Sequence, residues 1–364
     1  MILYHGSMHS SDIAHARLEN QHLTGAKFKT PYEAVSWLVA VQSQDYFAAS
    51  WSLAQRIENA TDEVINQAFN DGKILRTHVM RPTWHFVAPE DIRWMLELTS
   101  PRVKQLMKHY NHKLELTDAV FAKTTAIIVK VLQEKKHATR QELKTALTKA
   151  GITTDVQRLG HIVSWAELDA VICSGPRIGK QFTYALLDDR AARTKKKTRD
   201  EALAELAKRY FRSHGPAQLK DFAWWSGLTI KDAQEAISMV KSQFSEEIID
   251  EKTYWLKETK AIKQKSLGAF LLSIFDEYTI AYKDRSTLGG EKYFERIISQ
   301  GSALTGVIIF DGKIIGTWKR VIKKNNVEII LAPFEKLDTR QTEALKKAAE
   351  TYSAFIRLPV TVKQ

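Results

Sequence analysis

The chain contains 364 residues, which is long for one domain and predicts two to four structural modules. Its 54 Lys and Arg residues outnumber its 42 Asp and Glu residues, and the formal net charge of +12 favours an anionic partner, with nucleic acid first, over a basic protein that has no such partner. The single cysteine excludes an internal disulfide framework and argues against a cysteine-based zinc site. No run reaches the roughly 18 apolar residues of a membrane span, and residues 1–7 lack the features of a signal peptide, so we expect a cytoplasmic protein.

A polar stretch, Gln42-Ser43-Gln44, interrupts a hydrophobic run early in the chain. The preceding Thr30-Pro31-Tyr32-Glu33 is typical of a helix start, because proline suits the first helical position and glutamate the third. We therefore predict a helix from about Thr30 to Val41 that ends at the amides, with Ser43 or Asp45 capping the next helix.

The two amides of this stretch are two positions apart. On a continuous helix they would point roughly 200° away from each other, whereas in an extended link they would share one side. The spacing therefore favours two neutral hydrogen-bonding groups held at a helix junction. The alternative is that they only satisfy backbone groups at a helix end.

The rest of the first hundred residues has the pattern of a small helical unit followed by strands. Helices are predicted near 31–41, 46–57 and 61–71, and residues 75–87 are strand-rich, with Pro82 at an edge or a bulge. We interpret this segment as a divergent form of a module that recurs twice further along the chain.

The first clear copy of that module lies between about Thr117 and Leu187. It contains three predicted helices, of which the second begins at the capping box Thr139-Arg140-Gln141-Glu142, and then two strands at 170–173 and 181–186. Three helices followed by a hairpin are the order of a winged helix, a variant of the helix-turn-helix.

The same order recurs about eighty residues later. A capping box at Thr198-Arg199-Asp200-Glu201 opens a helix, Gly215-Pro216 precedes a second, Gly227-Leu228-Thr229 leads to a third, and alternating residues near 247–256 predict a hairpin. A second winged helix is therefore predicted.

The last hundred residues have a different pattern, with more strands. Apolar residues on both sides of Asp311-Gly312 predict a β-hairpin, a further strand is predicted at 327–331, and a closing helix from about Thr339 to Tyr352. The predicted fold class is α+β, with tandem winged-helix modules and a C-terminal mixed, β-rich domain. The predicted domains are 1–115, 116–195, 196–262 and 263–364.

Several of these stretches together resemble the tandem winged-helix DNA glycosylases of the AlkZ/YcaQ type, in the Gln-x-Gln branch. The resemblance extends over most of the chain, and the matching residues are Val41-Gln42-Ser43-Gln44, Arg81-Pro82-Thr83-Trp84-His85, Gly215-Pro216, Phe222-Ala223-Trp224-Trp225-Ser226-Gly227, Phe275-Asp276-Glu277-Tyr278, Tyr282-Lys283-Asp284-Arg285, Gly306-Val307 and Gly316-Thr317-Trp318.

The resemblance implies a C-shaped monomer that wraps duplex DNA and hydrolyses the N-glycosidic bond of alkylated purines in base excision repair. In some members it also implies unhooking of interstrand crosslinks. The catalytic motif of the family is Gln-x-Gln in one branch and Gln-x-Asp in the other, so the resemblance implies that Gln42 and Gln44 are catalytic. Asp45 lies one position beyond the motif and does not convert this chain to the second branch.

Amides suit this chemistry even though they do not titrate near neutral pH. A purine alkylated at N7 or N3 is already cationic, so the leaving base needs no protonation and the transition state resembles an oxocarbenium ion. Two amide oxygens can position a water and present partial negative charge to the sugar. Such a site favours weak, cationic glycosidic bonds.

Other residues are weaker candidates for the site. His85 either lines it, contacts DNA or packs as a strand residue, and Asp45 either orients the water, binds an arginine or caps a helix. A third group either lines the catalytic cleft or forms a buried ion network that holds the C-terminal domain; it comprises Asp276, Tyr278, Asp284 and Arg285. The residues predicted to contact DNA are Arg81, Arg177, Lys180 and Lys283.

The paired tryptophans Trp224 and Trp225 either stack on DNA or contribute to the core. The eleven histidines show no convincing metal-ligand spacing, so we expect neither a metal nor another cofactor. The main alternative function is a non-catalytic winged-helix regulator, which would explain the charge and the repeats equally well but not the paired amides. A lyase activity is a weaker alternative, because no lysine is singled out as its nucleophile.

Overall fold

The computed structural model of the protein describes residues 10–257, 267–289, 295 and 305–363. The stretch in which we looked for a signal peptide, residues 1–7, and parts of the predicted C-terminal domain lie outside the described residues. The fold is a mixture of helices and small sheets, as predicted.

The N-terminal part combines four helices with a three-stranded antiparallel sheet of order β1-β3-β2. Its elements are α1 (Ser10–Asn20), α2 (Pro31–Leu38), β1 (Ala40–Gln42), α3 (Tyr46–Ala54), α4 (Asp62–Asn70), β2 (Leu75–His78) and β3 (Trp84–Val87). The predicted capping box at Thr30 is present, with Pro31 at the helix start. Asp45, and not Ser43, caps α3, since its side chain accepts a hydrogen bond from the Ala48 N–H at 2.9 Å.

The predicted helix up to Val41 was wrong at its C-terminal end. Helix α2 ends at Leu38, Val39 has a positive φ of +70°, and residues Ala40–Gln42 pair with β3 as a strand. Val39, Ala40 and Val41 are all fully buried. A short apolar run buried on both faces suits a helix and a strand equally well, so its sequence pattern did not distinguish them.

The next part contains a long helix, α5 (Ile92–Lys113), and then the first predicted winged-helix unit. Its elements are α6 (Asp118–Lys135), β4 (His137–Thr139), α7 (Arg140–Lys149), α8 (Val156–Leu168), β5 (Ile172–Ser174), β6 (Thr183–Leu186) and the short α9 (Leu187–Arg190). The three strands form a sheet of order β4-β6-β5. The order of helices and hairpin is the one that the sequence predicted.

The second predicted unit has the same order with a two-stranded hairpin. Its elements are α10 (Arg199–His214), α11 (Leu219–Ser226), α12 (Ile230–Val240), β7 (Ser245–Ile249) and β8 (Lys252–Leu256). The capping boxes at Thr198 and Thr229 are both formed. Ala217 also pairs with Trp255 through an isolated bridge, in the position that β4 holds in the first unit.

The C-terminal part contains a five-stranded sheet of order β13-β12-β11-β10-β9. Its elements are β9 (Ala269–Leu272), α13 (Glu277–Ile280), β10 (Gly306–Phe310), β11 (Lys313–Ile322), β12 (Val327–Pro333), α14 (Thr339–Ile356) and β13 (Val360–Lys363). The predicted hairpin at Asp311-Gly312 is the β10–β11 connection.

Two large hydrophobic clusters hold the N-terminal part against the rest of the molecule. One joins its sheet to α5 and to helices α10–α12, and the other joins α2–α4 to the C-terminal sheet and α14. A third cluster forms the core of the first winged-helix unit. Apolar contacts therefore cross the predicted domain boundaries. The boundaries themselves stay a prediction, and so does the C shape that the resemblance implies. Within the described ranges, no helix has the length and apolar character needed to cross a membrane.

Gly227 provides a test of how closely α11 packs on the N-terminal part. It ends α11 with a φ of +71°, and a Cβ added there would lie 2.1 Å from the Met80 carbonyl oxygen. Gly151, after α7, has a similar φ of +77° but open space around it. We expect Gly151→Ala to lower the free energy of unfolding by roughly 1–2 kcal/mol, because alanine is strained in the left-handed backbone conformation. We expect Gly227→Ala to lower it further, because the added Cβ would also clash with the Met80 carbonyl. Urea denaturation measures the free energy of unfolding of both variants. Equal losses of stability in the two variants would contradict the close packing of α11 at Gly227.

Candidate active site

The first amide of the Gln-x-Gln stretch lies in a row of polar residues that crosses the N-terminal sheet. Gln42 is the register partner of His85 in the β1–β3 pair, and Thr77 is the partner of His85 in the β2–β3 pair. Directly opposed residues of neighbouring strands project on the same face of a sheet. Gln42, His85 and Thr77 therefore share one face, and the row was not visible in the sequence because the pairing was unknown.

Gln42 is held from two sides. Its backbone N–H donates to Glu277 Oε1 at 3.0 Å, and its side-chain Oε1 accepts a hydrogen bond from Arg81 Nη2 at 3.0 Å. The side chain is half-buried. The amide oxygen is thus oriented by a guanidinium, and its strand is anchored by a carboxylate.

Gln44 lies just past the end of β1 and is exposed. Its Oε1 accepts the Trp84 backbone N–H at 3.3 Å, while the Ser43 N–H donates to the Trp84 carbonyl at 2.7 Å. Arg76 Nε also donates to the Ser43 carbonyl at 3.0 Å. The segment that carries both amides is therefore extended and tied to β3, as the two-residue spacing favoured.

His85 is fully buried in the middle of this row. Its Nδ1 lies 3.0 Å from the Thr83 carbonyl oxygen and its Nε2 lies 3.3 Å from Arg81 Nη2. A carbonyl only accepts and a guanidinium only donates, so the two partners assign the same neutral tautomer, with the proton on Nδ1. Burial, and after it the charge of Arg81, holds the pKa of His85 well below its ordinary value.

Arg81 connects the two side chains. The same Nη2 atom contacts Gln42 Oε1 and His85 Nε2, and Nη1 lies 3.4 Å from the Trp224 carbonyl oxygen. Burial lowers the pKa of Arg81, against the opposing charge of Glu277. The structure thus places Arg81, a predicted DNA contact, beside Gln42 and His85, and its contact with DNA stays a prediction.

Glu277 is a residue of this site that the sequence reasoning missed. It is fully buried, its Oε2 accepts the indole N–H of Trp225 at 2.9 Å, and that oxygen lies 3.5 Å from His214 Nε2. Burial lowers the pKa of His214, although the hydrogen bond and charge of Glu277 raise it. Glu277 stood within a stretch that carried the family resemblance, but nothing local singled it out from its acidic neighbour Asp276.

Comparison with known proteins agrees with this arrangement. The model of the family described as DNA glycosylase AlkZ-like matches residues 35–355. The chain belongs to the AlkZ-like family of DNA glycosylases. This confirms the predicted enzyme class and DNA substrate over the alternative of a non-catalytic regulator.

A curated protein and a solved structure, both from Streptomyces sahachiroi, match over nearly their whole lengths. A curated protein named "Interstrand DNA cross-link repair glycosylase" is 24% identical over 366 residues, which cover 95% of this chain and 97% of the relative. The solved structure of the DNA glycosylase AlkZ from the same organism superposes with a TM-score of 0.80 at 20% identity and covers 98% of this chain and 100% of that one. The predicted fold class is thus confirmed.

Within the glycosylase, Asp276 and Tyr278 belong to a buried network and not to the row of Gln42 and His85. Asp276 accepts two hydrogen bonds from Arg56, each at 2.9 Å, and one from the Ser52 hydroxyl at 2.7 Å. The Tyr278 hydroxyl donates to the Gly312 carbonyl at 2.8 Å, and burial raises its pKa. These contacts agree with the buried network, and a site-lining role for the pair stays a prediction.

Asp284 and Arg285 lie beside the second winged-helix unit. Asp284 accepts from Lys252 Nζ at 2.8 Å and from Gln218 Nε2 at 2.9 Å. Burial opposes its charge, but these bonds and one from the Ser286 N–H hold its pKa below the ordinary value. Arg285 is half-buried, and burial lowers its pKa. A place for either residue in the site stays a prediction.

The remaining predicted DNA contacts occupy different surfaces. Arg177 is half-buried, donates to Asn66 and lies over the Tyr46 ring at 5.0 Å. Lys180 is exposed in the turn between β5 and β6. Lys283 is exposed and lies 4.7 Å from the centre of the Trp224 ring. These roles stay predictions.

The two adjacent tryptophans have opposite environments. Trp225 is fully buried, whereas Trp224 is 43% exposed. The indole N–H of Trp224 donates to the Ile280 carbonyl at 3.1 Å, and its backbone carbonyl lies 3.4 Å from Arg81 Nη1. Among the described residues, no group of three or more His, Cys, Asp or Glu side chains is arranged to hold a metal ion.

The Arg56–Asp276 pair predicts a large stability effect. Both side chains are fully buried, so Arg56→Ala leaves the Asp276 charge without its bidentate partner. We expect a loss of about 3–5 kcal/mol in the free energy of unfolding. The matched control is Arg357→Ala, which removes an exposed pair with Glu63 and is expected to cost about 1 kcal/mol or less. Denaturant melts of both variants measure the difference, and similar losses would mean that the buried pair is not a structural link.

Proposed function

We propose that this glycosylase hydrolyses the N-glycosidic bond of cationic N7- or N3-alkylated purines in duplex DNA, with Gln42 and Gln44 as catalytic residues. The observation that carries the proposal is the extended Gln-x-Gln segment, in which the Gln42 amide faces a neutral, buried histidine. The site offers hydrogen-bond acceptors at a fixed geometry, while the Asp45 carboxylate caps α3 and the Glu277 carboxylate holds the backbone of β1.

This set of groups suits a leaving base that already carries a positive charge. Departure of such a base requires no general acid, since the bonding electrons neutralise the charge on the base. The remaining tasks are to position a water and to stabilise a cationic sugar, and oriented amide oxygens perform both. An ordinary purine would have to leave as an anion unless it were protonated, so its glycosidic bond would remain intact.

The charges behind the amides also fit this substrate class. Glu277 places a buried negative charge against the backbone of Gln42. Charge–charge interactions are stronger in a buried environment than in water, so this carboxylate favours positive charge that develops near the end of β1. We infer that it contributes to stabilisation of the sugar cation from behind the strand.

We further propose that crosslinked purines are among the substrates and that the protein acts as a monomer. The name of the curated relative, an interstrand DNA cross-link repair glycosylase, supports the first point. The second is supported by the site itself, in which Gln42, Gln44, His85 and Glu277 all come from one chain.

The catalytic role of the amides predicts a specific loss of rate. We expect Gln42→Ala and Gln44→Ala each to slow single-turnover release of N7-methylguanine by about a hundredfold or more, since one hydrogen bond in a preorganised site contributes about 2–4 kcal/mol to the barrier. The increase in the activation barrier of the double variant should be smaller than the sum of the two single increases, because both groups act on one water. The substrate is a duplex with a single N7-methylguanine, and released base and abasic sites are measured.

Thermal melts and a control variant separate catalysis from stability. Gln44→Ala also removes the acceptor of the Trp84 N–H, so a stability loss of about 1 kcal/mol is expected with it. Gln133→Ala removes an exposed glutamine on α6 and should retain the wild-type rate. Wild-type rates in both single variants at lowered melting temperatures would show that the amides only support the fold.

The net charge predicts salt-dependent binding to duplex DNA. Phosphate contacts release counterions, so affinity should fall steeply between about 50 and 200 mM salt and depend little on base sequence. Fluorescence anisotropy with two undamaged duplexes of unrelated sequence measures both properties. An affinity that is unchanged over this salt range would contradict binding through the basic surface.

A further inference from the structure

The Arg81 guanidinium occupies a position between two acceptors of the site. Its Nη2 lies 3.0 Å from Gln42 Oε1 and 3.3 Å from His85 Nε2. Gln42 and His85 are opposed across the β1–β3 pair, so their acceptor atoms converge on this single nitrogen. A terminal guanidinium nitrogen carries two N–H bonds, and a water molecule likewise offers two O–H bonds.

Arg81 is a poorly compensated cation in this position. Its hydrogen bonds within the described ranges go to three neutral acceptors, Gln42 Oε1, His85 Nε2 and the Trp224 carbonyl. Glu277 acts on it only through its charge. Arg81 is half-buried, so its charge is partly withdrawn from water. A hydrogen-bonded counter-ion offsets such desolvation, and a phosphate is a better partner for a guanidinium than neutral acceptors are.

The position is also unfavourable for the reaction. A cation next to Gln42 Oε1 repels the positive charge that develops on the sugar, at the atom that would stabilise it. The arrangement with Arg81 between Gln42 and His85 therefore suits the protein without DNA better than the reacting complex.

We propose that the nucleophilic water takes the position of Arg81 Nη2 when DNA binds, with Gln42 Oε1 and His85 Nε2 as its two acceptors, and that Arg81 moves to a backbone phosphate. This assigns His85 as a catalytic residue that accepts a proton from the water. The inference rests on the proposed glycosylase reaction and adds the second acceptor of the water to it.

The C1′–N9 bond breaks and its electron pair passes to the alkylated purine, which leaves as a neutral base. The water oxygen forms a bond to C1′, and one of its protons passes to His85 Nε2 and then to solvent. The products are the free base, an abasic site and one proton.

The surroundings of His85 support this role. The Thr83 carbonyl retains the proton on Nδ1, so Nε2 presents its lone pair to the water. Charged or titratable groups that act on His85 are Arg81, His78 and Arg76, and all three lower its pKa after the larger effect of burial. Of these three groups, Arg81 has the largest effect on the pKa of His85. Its departure therefore raises the basicity of Nε2 when DNA is bound.

The role of His85 is tested by its replacement with and without an acceptor. His85→Phe removes the acceptor, and we expect single-turnover release of N7-methylguanine to fall about a hundredfold. His85→Gln places an amide oxygen near the position of Nε2 and should restore the rate to within about tenfold of wild type. Melting temperatures and DNA affinities of both variants are measured alongside.

The pH profile distinguishes a base from a structural residue. Because the acceptor must be neutral, the wild-type rate should fall as the pH decreases through the pKa of His85, and the amide of His85→Gln should remove that acidic limb. If His85→Phe does not fold, the comparison of the pH profiles of wild type and His85→Gln tests the role of His85 by itself. A wild-type rate in folded His85→Phe, or an acidic limb that persists in His85→Gln, would overturn the assignment.

The movement of Arg81 is tested by binding alone. For undamaged duplex DNA, the slope of log affinity against log salt should become less negative by roughly 0.9 in Arg81→Ala, which is the loss of one phosphate contact. Gln133→Ala is the control, since this exposed glutamine on α6 carries no charge and its removal should keep the wild-type slope. An unchanged slope in Arg81→Ala would mean that the guanidinium stays with Gln42. A wild-type protein that releases no N7-methylguanine would instead contradict the proposed function itself.

Discussion

The buried carboxylate of Glu277 joins three separate parts of the chain around the site. One oxygen accepts the Gln42 backbone N–H, and the other accepts the Trp225 indole N–H and lies 3.5 Å from His214 Nε2. A fully buried carboxylate costs several kcal/mol to desolvate unless hydrogen bonds satisfy it, so each partner must stay in place for the fold to persist. The end of β1 is thereby fixed against α10 and α11. The preceding residue, Asp276, similarly binds the Ser52 hydroxyl of α3 and the Arg56 guanidinium just after that helix.

In the site that we propose, the groups that face the substrate carry no charge. Gln42 and Gln44 are amides, and His85 is held in its neutral form by burial and by Arg81. The charged residues Glu277 and Arg81 lie behind or beside these acceptors and set the field in which they act. In the reaction that we propose, selectivity follows from this division: the site can stabilise and trap a sugar cation, but it cannot protonate a neutral base. Only a base that is already cationic then departs readily.

Local signals in the sequence predicted local structure well, because each depends on neighbouring residues alone. The capping boxes at Thr30, Thr139 and Thr198 and the Asp311-Gly312 turn are all formed as predicted. The helix predicted up to Val41 failed where tertiary pairing overrides periodicity, since Ala40–Gln42 gains a strand partner in β3 that lies more than forty residues away in sequence. Asp276 and Glu277 illustrate the same limit: two adjacent acids of similar type have different partners, and those partners come from distant helices and strands.

By itself the sequence determined the basic charge, the order of the helices and hairpins, the extended pair of amides and the family, since these follow from composition, short-range pattern and motif. Only the tertiary structure decided which polar groups meet. The pairing of β1 with β3 placed Gln42 opposite His85, and the packing of α13 brought Glu277 to the backbone of that strand. Strand register and the burial of a particular carboxylate arise from contacts between residues far apart in the chain, whose energies no local pattern encodes.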